Sequence, residues 1–365
     1  MSTIFAVDAP GRPADRRQVP TPEPSGHEVL LRVIASGVCH TDTHLQEGGY
    51  DLGSRGFLEM TSRGIDYPAM FGHEVVGEVV AVGPEAGGIA VGDVRLLYPW
   101  LGCGECPRCR AGQENYCPHS RALGVYAPGG FAEHITVPDP RYLLDIDDLR
   151  PEAAATLACS GVTAYSAVSK ATVYTDPDDP VVVIGAGGVG LMGIAMLKAL
   201  GHRNIVAADT NPASLDIAAG MGATATVDTS GPDAAARVSE ACGGPAPAAV
   251  DFVNTGDTVE IAFEVLGKGG TLVQVGLFGG EFRLPTVMMP LKILSLQGSF
   301  VGSLAELAEV VELARAGTLP TVPLIPGELS ADGVNAGFDG LRRGIVRGRM
   351  VLTPGRPASP APQDS

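Results

Sequence analysis

Two patterns of apolar positions divide the chain near residue 160. Before that point, apolar residues occur in short runs that Gly and Pro interrupt, such as LLRVIAS (30–36) and EVVGEVVAVG (74–83). Both runs are rich in β-branched residues and end at turn formers, as β-strands do. Helical segments do not alternate with these runs, so we predict an irregular, largely antiparallel domain.

After residue 160, continuous apolar runs alternate with segments of helical spacing. The first run is VVVI, followed directly by GAGGVG, and a continuous apolar run is typical of a strand buried on both faces. The pattern then predicts, in order, helix 189–200, strand 204–209, helix 213–221, strand 248–253, helix 257–266, strand 271–276 and a last strand within 293–300. Such alternation predicts a parallel, doubly wound sheet.

The end of the chain returns to a different pattern. Residues 306–317 have apolar positions at helical spacing and finish at a glycine, which predicts a helix. The remainder is expected to rejoin the first domain. The Pro- and Ser-rich tail from about residue 354 is expected to be disordered.

The charge of the chain limits its partners. The formal net charge is −16, whereas nucleic-acid binding depends on clustered Lys and Arg; we therefore expect no nucleic-acid and no membrane partner. No apolar stretch approaches the roughly 18 residues that cross a bilayer, and the N-terminus lacks a basic leader followed by an apolar segment. A cytoplasmic location is the expectation.

Four of the seven cysteines fall in one short loop, CGECPRCRAGQENYC. These are Cys103, Cys106, Cys109 and Cys117. Four thiolates with such short spacers can surround one tetrahedral zinc ion, and a full set of four protein ligands leaves no open position. We predict a structural zinc site here; the alternative is a cluster of free thiols.

Three further metal-binding side chains are dispersed: Cys39 in GVCHTDTH, His73 in GHE and Cys159 in CSGVTAY. A catalytic zinc site needs three protein ligands and one position open to water or substrate. Two thiolates and one imidazole meet that need. Taken alone, each of the three is more often a residue of the core.

The segment GAGGVG, residues 185–190, follows the first buried strand and opens a helix. Gly185 permits a tight turn, Gly187 lets a pyrophosphate approach the backbone, and Gly190 lets helix and strand pack closely. Asp209 ends the next strand, where its carboxylate would bind the adenosine ribose and repel a 2′-phosphate, so NAD is favoured over NADP. The alternative is that Asp209 only caps a loop.

Together these segments resemble the zinc-containing alcohol dehydrogenases of the medium-chain dehydrogenase/reductase family. The likeness runs from GVCHTDTH through GHE, the four-cysteine loop, CSGVTAY and GAGGVG to RGRMVL near the end. It implies an α/β fold: a GroES-like, β-rich catalytic domain of residues 1–160 and 301–365, and a Rossmann domain of residues 161–300.

The resemblance also implies roles for single residues. Cys39, His73 and Cys159 would hold the catalytic zinc, with Asp42 orienting the imidazole of His73 and Glu74 close by, assisting ligand exchange. The positions that match contacts to NAD are His40, Thr163, Gly185, Gly187, Gly188, Val189, Gly190, Asp209, Val275, Leu277 and Arg349.

The implied reaction transfers hydride between an alcohol and NAD, with the reverse reduction of an aldehyde or ketone. Thr41 and His44 match a relay that carries the alcohol proton to solvent; the alternative for His44 is an ordinary surface histidine. Two zinc ions per chain, NAD, and a small alcohol or carbonyl substrate are thus expected. Relatives with the same short segment after Cys117 favour a homotetramer, and a homodimer is the alternative.

One segment departs from the family pattern. Residues 45–72 are longer than the usual spacing there, and we hypothesise that they form part of the substrate pocket or a lid. Trp100, the only tryptophan, is predicted either to line this pocket or to belong to the domain core. Cys242 has no assigned role.

Competing functions fit the residues less well. Polyol dehydrogenases commonly have Glu where Cys159 stands, cinnamyl-alcohol-type reductases prefer NADP, and quinone reductases of this fold lack zinc ligands. A polyol or diol dehydrogenase or a carbonyl reductase of the same family remains the alternative. A zinc-ribbon binding module conflicts with the acidic charge, and an inactive NAD-binding protein would not need the full set of metal and relay residues.

Overall fold

A computed structural model describes residues 1–355 of the chain. The tail was predicted to be disordered from about residue 354, and its part from residue 356 onward lies outside the described residues. Strands and short helices make up the first 150 residues. The strands are β1 Ser2–Val7, β2 Ala14–Val19, β3 Val29–Val38, β4 Gly49–Asp51, β5 Phe57–Glu59, β6 Glu74–Val82, β7 Val94–Leu97, β8 His134–Val137 and β9 Leu143–Asp145. The α-helices are α1 His40–Glu47 and α2 Pro107–Arg110.

A helical segment then leads into alternating strands and helices. It consists of α3 Pro151–Thr156, a π-helical turn Leu157–Gly161 and α4 Val162–Ala171. The strands that follow are β10 Val181–Ile184, β11 Ile205–Asp209, β12 Ala225–Asp228, β13 Ala246–Asp251, β14 Leu266–Gln274 and β15 Ser295–Gly298. The helices between them are α5 Gly188–Ala199, α6 Pro212–Met221, α7 Ala234–Ala241, α8 Gly256–Val265 and α9 Met288–Lys292. The described chain ends with α10 Leu304–Arg315, β16 Leu324–Glu328, α11 Ala331–Arg342 and β17 Arg349–Thr353.

The second set of strands forms a six-stranded, all-parallel sheet in the order β12-β11-β10-β13-β14-β15. All four residues of β10 are buried, as its continuous apolar run predicts. The chain winds outward from β10 to β12 and then crosses back to β13. In such sheets ligands bind beyond the carboxyl ends of the strands where the winding reverses, which here means between β10 and β13.

The other large sheet has seven strands, in the order β16-β17-β3-β6-β7-β9, with β8 also paired to β3. Its pairings are antiparallel except for β16 with β17. The C-terminal strand β17 lies next to β3, so the chain end does rejoin the first sheet. The predicted fold class, a β-rich domain with a parallel doubly wound domain, is confirmed. The predicted domain limits at residues 160 and 300 stay a prediction, and residue 160 lies inside the π-helical turn.

The element predictions were incomplete in several regions, and they included no helix for α3, α4 or α11. The sequence pattern missed β12 and α7, because both are short and β12 has only one buried residue. Two strands were placed too late: β13 ends at Asp251 rather than 253, and β14 at Gln274 rather than 276. The residues after these strand ends form loops that line the ligand groove. Among residues 1–355, no helix combines the length and apolar character needed to span a bilayer.

Candidate active site

Three local structures bring Cys39, His73 and Cys159 together. Cys39 follows β3 and is the N-cap of α1, and His73 immediately precedes β6. Cys159 lies in the π-helical turn; such turns inside helices occur frequently at functional sites because the extra residue redirects a side chain. The three side chains and the Glu74 carboxylate are buried and offer donor atoms within 4.8 Å of one another.

The spacing of these donors fits a zinc ion. The sulfur atoms of Cys39 and Cys159 are 3.9 Å apart, far beyond the roughly 2.05 Å of a disulfide bond. Two sulfur atoms bound to one tetrahedral zinc at about 2.3 Å are about 3.8 Å apart. The Nε2 atom of His73 is buried without a hydrogen-bond partner among residues 1–355. A buried polar atom of this kind is costly unless something binds it, and a metal ion would.

Asp42 connects the two ligand-bearing loops. Its carboxylate accepts hydrogen bonds from the backbone N–H groups of Cys39, at 2.9 Å, and of Gly72, at 3.1 Å. Its Oδ1 atom is also 3.1 Å from His73 Nδ1; the distance is that of an ion pair, although the N–H is not aligned as in a regular hydrogen bond. Asp42 is thus close enough to His73 for the implied role, in which it orients the imidazole and leaves Nε2 for the metal, and that role stays a prediction.

The charges around the cluster favour a cation. The contact with the Cys159 sulfur, 3.9 Å away, and the positive charge of Arg349 outweigh burial and hold the pKa of Cys39 well below its usual value. Burial alone would lower the pKa of His73, but the negative charges of Asp42 and Cys39 raise it. A buried imidazole nitrogen with no partner in the described part of the chain, next to two sulfur donors, is a site that a divalent cation would stabilise.

The glycine turn lies where the sheet winding reverses. Gly185 has φ = +88° and begins the turn, a conformation that side chains strongly disfavour. A Cβ on Gly190 would lie 1.7 Å from the carbonyl oxygen of Gly185, so the close packing predicted for Gly190 is present. At Gly187, no protein atom of residues 1–355 lies within 4 Å of a Cβ position. The space in front of the turn is therefore open, and the N-terminus of α5 faces it.

Asp209 lies at the end of β11 beside this turn. One carboxylate oxygen accepts a hydrogen bond of 2.6 Å from the Ala186 N–H, and the other accepts one of 2.8 Å from the Asn211 N–H. The carboxylate is thereby fixed beside the glycine turn and holds its own loop. Its predicted binding of the adenosine ribose stays a prediction.

A groove of about 400 Å³ joins the turn to the metal-ligand cluster. Cys39, Cys159 and Asp209 all line it. All eleven residues predicted to contact NAD line this groove, namely His40, Thr163, Gly185, Gly187, Gly188, Val189, Gly190, Asp209, Val275, Leu277 and Arg349. The Oγ1 atom of Thr163 is buried and has no hydrogen-bond partner in the described part of the chain, so a polar ligand atom can take that place.

The predicted relay residues, Thr41 and His44, lie three positions apart on α1 and both line the groove. This spacing puts them on the same helix face. The His44 ring packs near Tyr50, with ring centroids 5.1 Å apart. Burial lowers the pKa of His44, so the imidazole is neutral at pH 7 and able to accept a proton. Its part in a proton relay stays a prediction.

The four clustered cysteines form a second donor set. Their sulfur atoms lie within 4.8 Å of one another, with separations of 3.5 Å between Cys106 and Cys109 and 3.8 Å between Cys106 and Cys117. Backbone N–H groups point at these sulfurs, as from Cys106 to Cys103 at 3.4 Å. These N–H groups lower the pKa of Cys103 to about 6. The arrangement fits one tetrahedral zinc ion with no open position.

Some groove residues were not singled out from the sequence. Phe300 and Val301 line both the groove and the adjacent larger cavity. Val301 has φ = +45°, an outlier for a β-branched residue, and such strain concentrates at functional sites. The sequence pattern placed residues 293–300 in a strand, and only the following glycine hinted at a turn. Trp100 is 3% exposed, lines both cavities and packs against His73, so it belongs to core and pocket alike.

Comparisons with known proteins agree with this geometry. Residues 25–148 match the alcohol dehydrogenase GroES-like domain family, and residues 188–316 match the zinc-binding dehydrogenase family. The chain is 35% identical to an NAD-dependent alcohol dehydrogenase of Sulfurisphaera tokodaii, over 94% of this chain and 97% of that protein. It is 33% identical to the NAD-dependent alcohol dehydrogenase of Saccharolobus solfataricus over the same shares.

A solved structure shows the same fold. The alcohol dehydrogenase from the archaeon Aeropyrum pernix superposes with a TM-score of 0.88, at 32% sequence identity, covering 96% of this chain and 100% of that one. With identity above 30% along nearly the whole length, and with the donor sets and nucleotide turn in place, the chain belongs to the zinc-containing alcohol dehydrogenases of the medium-chain dehydrogenase/reductase family.

Proposed function

We propose that the chain catalyses NAD-linked oxidation of an alcohol, and the reverse reduction of an aldehyde or ketone, at the Cys39–His73–Cys159 centre. One observation carries this proposal. Two buried sulfurs and one unpartnered imidazole nitrogen converge, and the two cysteines line the same groove as the glycine turn and Asp209. A ligand stretched along this groove would bring its nicotinamide end to the metal.

A zinc ion on these three ligands would polarise the substrate oxygen, and NAD would accept the hydride. Coenzyme binding and proton transfer depend on residues of the chain itself. Asp209 binds the ribose hydroxyls at the adenosine end, and the open turn at Gly187 lets the pyrophosphate lie against backbone N–H groups. Thr163 and Val189 hold the nicotinamide near Cys159. Thr41 and His44 carry the alcohol proton towards solvent, because the neutral imidazole accepts it.

The test combines metal content with turnover. The purified full chain should contain two zinc ions and form NADH, measured at 340 nm, from alcohols. His73→Ala should leave one zinc ion, held by the four-cysteine loop, and abolish NADH formation. Two zinc ions retained in His73→Ala would exclude this ligand set, and a zinc-loaded wild type inactive on every alcohol and carbonyl would exclude the reaction.

We further propose that the chain forms a homodimer through β15, with a homotetramer as the pair of such dimers. β15 ends the parallel sheet, and no strand of residues 1–355 covers its outer edge. Leu291 and Ile293 beside it are 65% and 62% exposed, which is unusual for large apolar side chains in a cluster. Leu291→Glu should reduce the mass measured by light scattering; an unchanged mass would place the interface elsewhere.

A cytoplasmic location is also proposed. All seven cysteines are free thiols in the structure, and four adjacent ligand thiols persist best in a reducing compartment. Labelling of the cell fractions with an antibody to the chain tests this.

A further inference from the structure

A second cavity, of about 1470 Å³, adjoins the catalytic end of the groove. The two spaces share lining residues, among them Thr41, Trp100, Leu277 and Val301. Thr41 neighbours the Cys39 segment and Trp100 packs on His73, so this cavity leads directly to the metal-ligand cluster. Taking about 30 Å³ per heavy atom from liquid water, a three-atom alcohol needs on the order of 100 Å³. The chamber is far larger than that.

The buried side chains that line the chamber are mostly apolar, and its carboxylate and basic groups lie at the rim. The buried members, besides Trp100, are Met60, Cys117, Ala122, Val259 and Val301. Half-buried polar groups of Thr41, Asn115, Asn254 and Gln274 accompany them. The carboxylate and basic members are all solvent-exposed, namely Asp51, Arg63, His119, Arg121 and Glu281. Because these charged groups are in contact with water, they do not need a charged substrate inside the chamber as a partner. An uncharged molecule with a bulky apolar body matches this distribution.

The hairpin β4–β5, within the long segment 45–72, forms the outer wall. Ser54 at its tip donates an O–H hydrogen bond of 2.5 Å to Glu281, and the Gly280 N–H donates to the Asp51 carbonyl at 3.3 Å. Gly279 makes the approach possible, because it has φ = +92° and a Cβ there would lie 2.4 Å from the Asp51 oxygen. The wall thus spans from the first sheet to the loop after β14.

The two faces of this hairpin differ. Leu58 on β5 is half-buried and lines the chamber, whereas its neighbour Phe57 is 54% exposed and is absent from the lining. Successive side chains of a strand point to opposite faces. Leu58 therefore faces the chamber and Phe57 faces away from it.

We propose that the chamber selects uncharged alcohols with a bulky apolar body, such as an aromatic ring or a long alkyl chain, over short-chain alcohols, and that Leu58 is a specificity-determining residue of its wall. The inference rests on the alcohol oxidation proposed above. Each methylene that the chamber buries is worth about a fourfold gain in binding, so the preference should rise steadily with chain length.

Steady-state kinetics of the zinc-loaded full chain test the preference. From ethanol through butan-1-ol to hexan-1-ol, which adds four methylenes, kcat/KM should rise by about 200-fold, and 3-phenylpropan-1-ol should be at least as good as hexan-1-ol. In Leu58→Trp, the ratio of kcat/KM for 3-phenylpropan-1-ol to that for ethanol should fall at least about 10-fold, since a larger side chain then occupies the space. Phe57→Trp introduces the same residue on the opposite face and should leave the ratio unchanged. A flat or falling series, or equal ratios in the two variants, overturns the proposal.

A binding measurement separates this inference from the reaction itself. Trp100 is the only tryptophan, so the intrinsic fluorescence reports on the chamber without turnover. Titration with 3-phenylpropan-1-ol should change it saturably, and ethanol at equal concentration should not. A fluorescence response without NADH from any alcohol would refute the proposed oxidation but would still support binding of bulky alcohols in the chamber. NADH from ethanol with no fluorescence response and no preference for bulky alcohols would refute the chamber alone.

Discussion

Arg349 and Glu74 form an ion pair that is almost completely buried, with side-chain exposures of 3% and 0%. The pair joins β17 to β6 beneath the metal-ligand cluster. A Cβ on Gly188 would lie 2.6 Å from Arg349 Cδ, so Arg349 also contacts the nucleotide turn. Burial raises the pKa of Glu74 to about 7, and Arg349 opposes this rise. One guanidinium thus lies close to Cys39, a buried carboxylate and the glycine turn.

Arg349→Met should destabilise the protein strongly, because it leaves Glu74 buried without a counter-charge. Removing one partner of a buried pair costs about 3–5 kcal/mol, enough to lower the Tm by about 5 °C or more. The double variant Glu74→Gln/Arg349→Met should have a higher Tm than Arg349→Met alone, since its buried amide carries no charge. Calorimetry of the zinc-loaded proteins measures both. Equal Tm values for the single and double variants would show that the two residues are not coupled.

The four-cysteine site should be structural. Cys106→Ser should lower the zinc content from two ions to one, because the loop loses a ligand and with it much of its affinity. Unfolding of this loop should lower the Tm by about 5 °C or more, while the remaining zinc still supports NADH formation. Cys242→Ser is the matched control: Cys242 lies outside both donor sets and burial raises its pKa to about 11. A Cys106→Ser protein with two zinc ions would contradict this assignment.

His44 should set the acid limb of the pH profile. Because burial lowers its pKa below the ordinary value of 6.5, the imidazole is neutral from pH 7 upward and becomes protonated only in more acidic solution. The log of kcat/KM for alcohol oxidation should therefore fall below that pKa and be independent of His44 titration above it. His44→Gln should remove this limb and lower the rate at pH 7 by about 10-fold, at or below the low end of general-base contributions.

His202→Gln provides the control for that profile. Burial also lowers the pKa of His202, yet this residue lines neither cavity. Its substitution should leave the acid limb in place. If His44→Gln and wild type gave superimposable profiles, the proton would take another route.

Most of the fold and of the metal sites could be predicted from the sequence, and particular residues show the physical reasons. Ligand spacing in the four-cysteine loop and the strand–glycine–helix order at Gly185 are local, so chain order alone revealed them. The convergence of Cys39, His73 and Cys159 is long-range and was inferred only through family resemblance. The strained backbone of Val301 and the contact of Ser54 with Glu281 depend on tertiary packing. No local sequence pattern predicts either feature.

Asp209 should decide between NAD and NADP. Its carboxylate is fixed by the N–H groups of Ala186 and Asn211, and in the proposed binding mode it would lie where NADP carries its 2′-phosphate. Asp209→Ala should lower kcat/KM for NAD by about 10- to 100-fold, the worth of a hydrogen bond to a charged group, and raise the NADP-to-NAD ratio. Asp209→Asn keeps an acceptor oxygen without the charge, so it should lose less with NAD and still gain with NADP. Initial rates with each coenzyme at fixed alcohol give both ratios. If Asp209→Ala weakened both coenzymes equally, the carboxylate would serve only to hold its loop, and coenzyme choice would have to come from other residues of the groove.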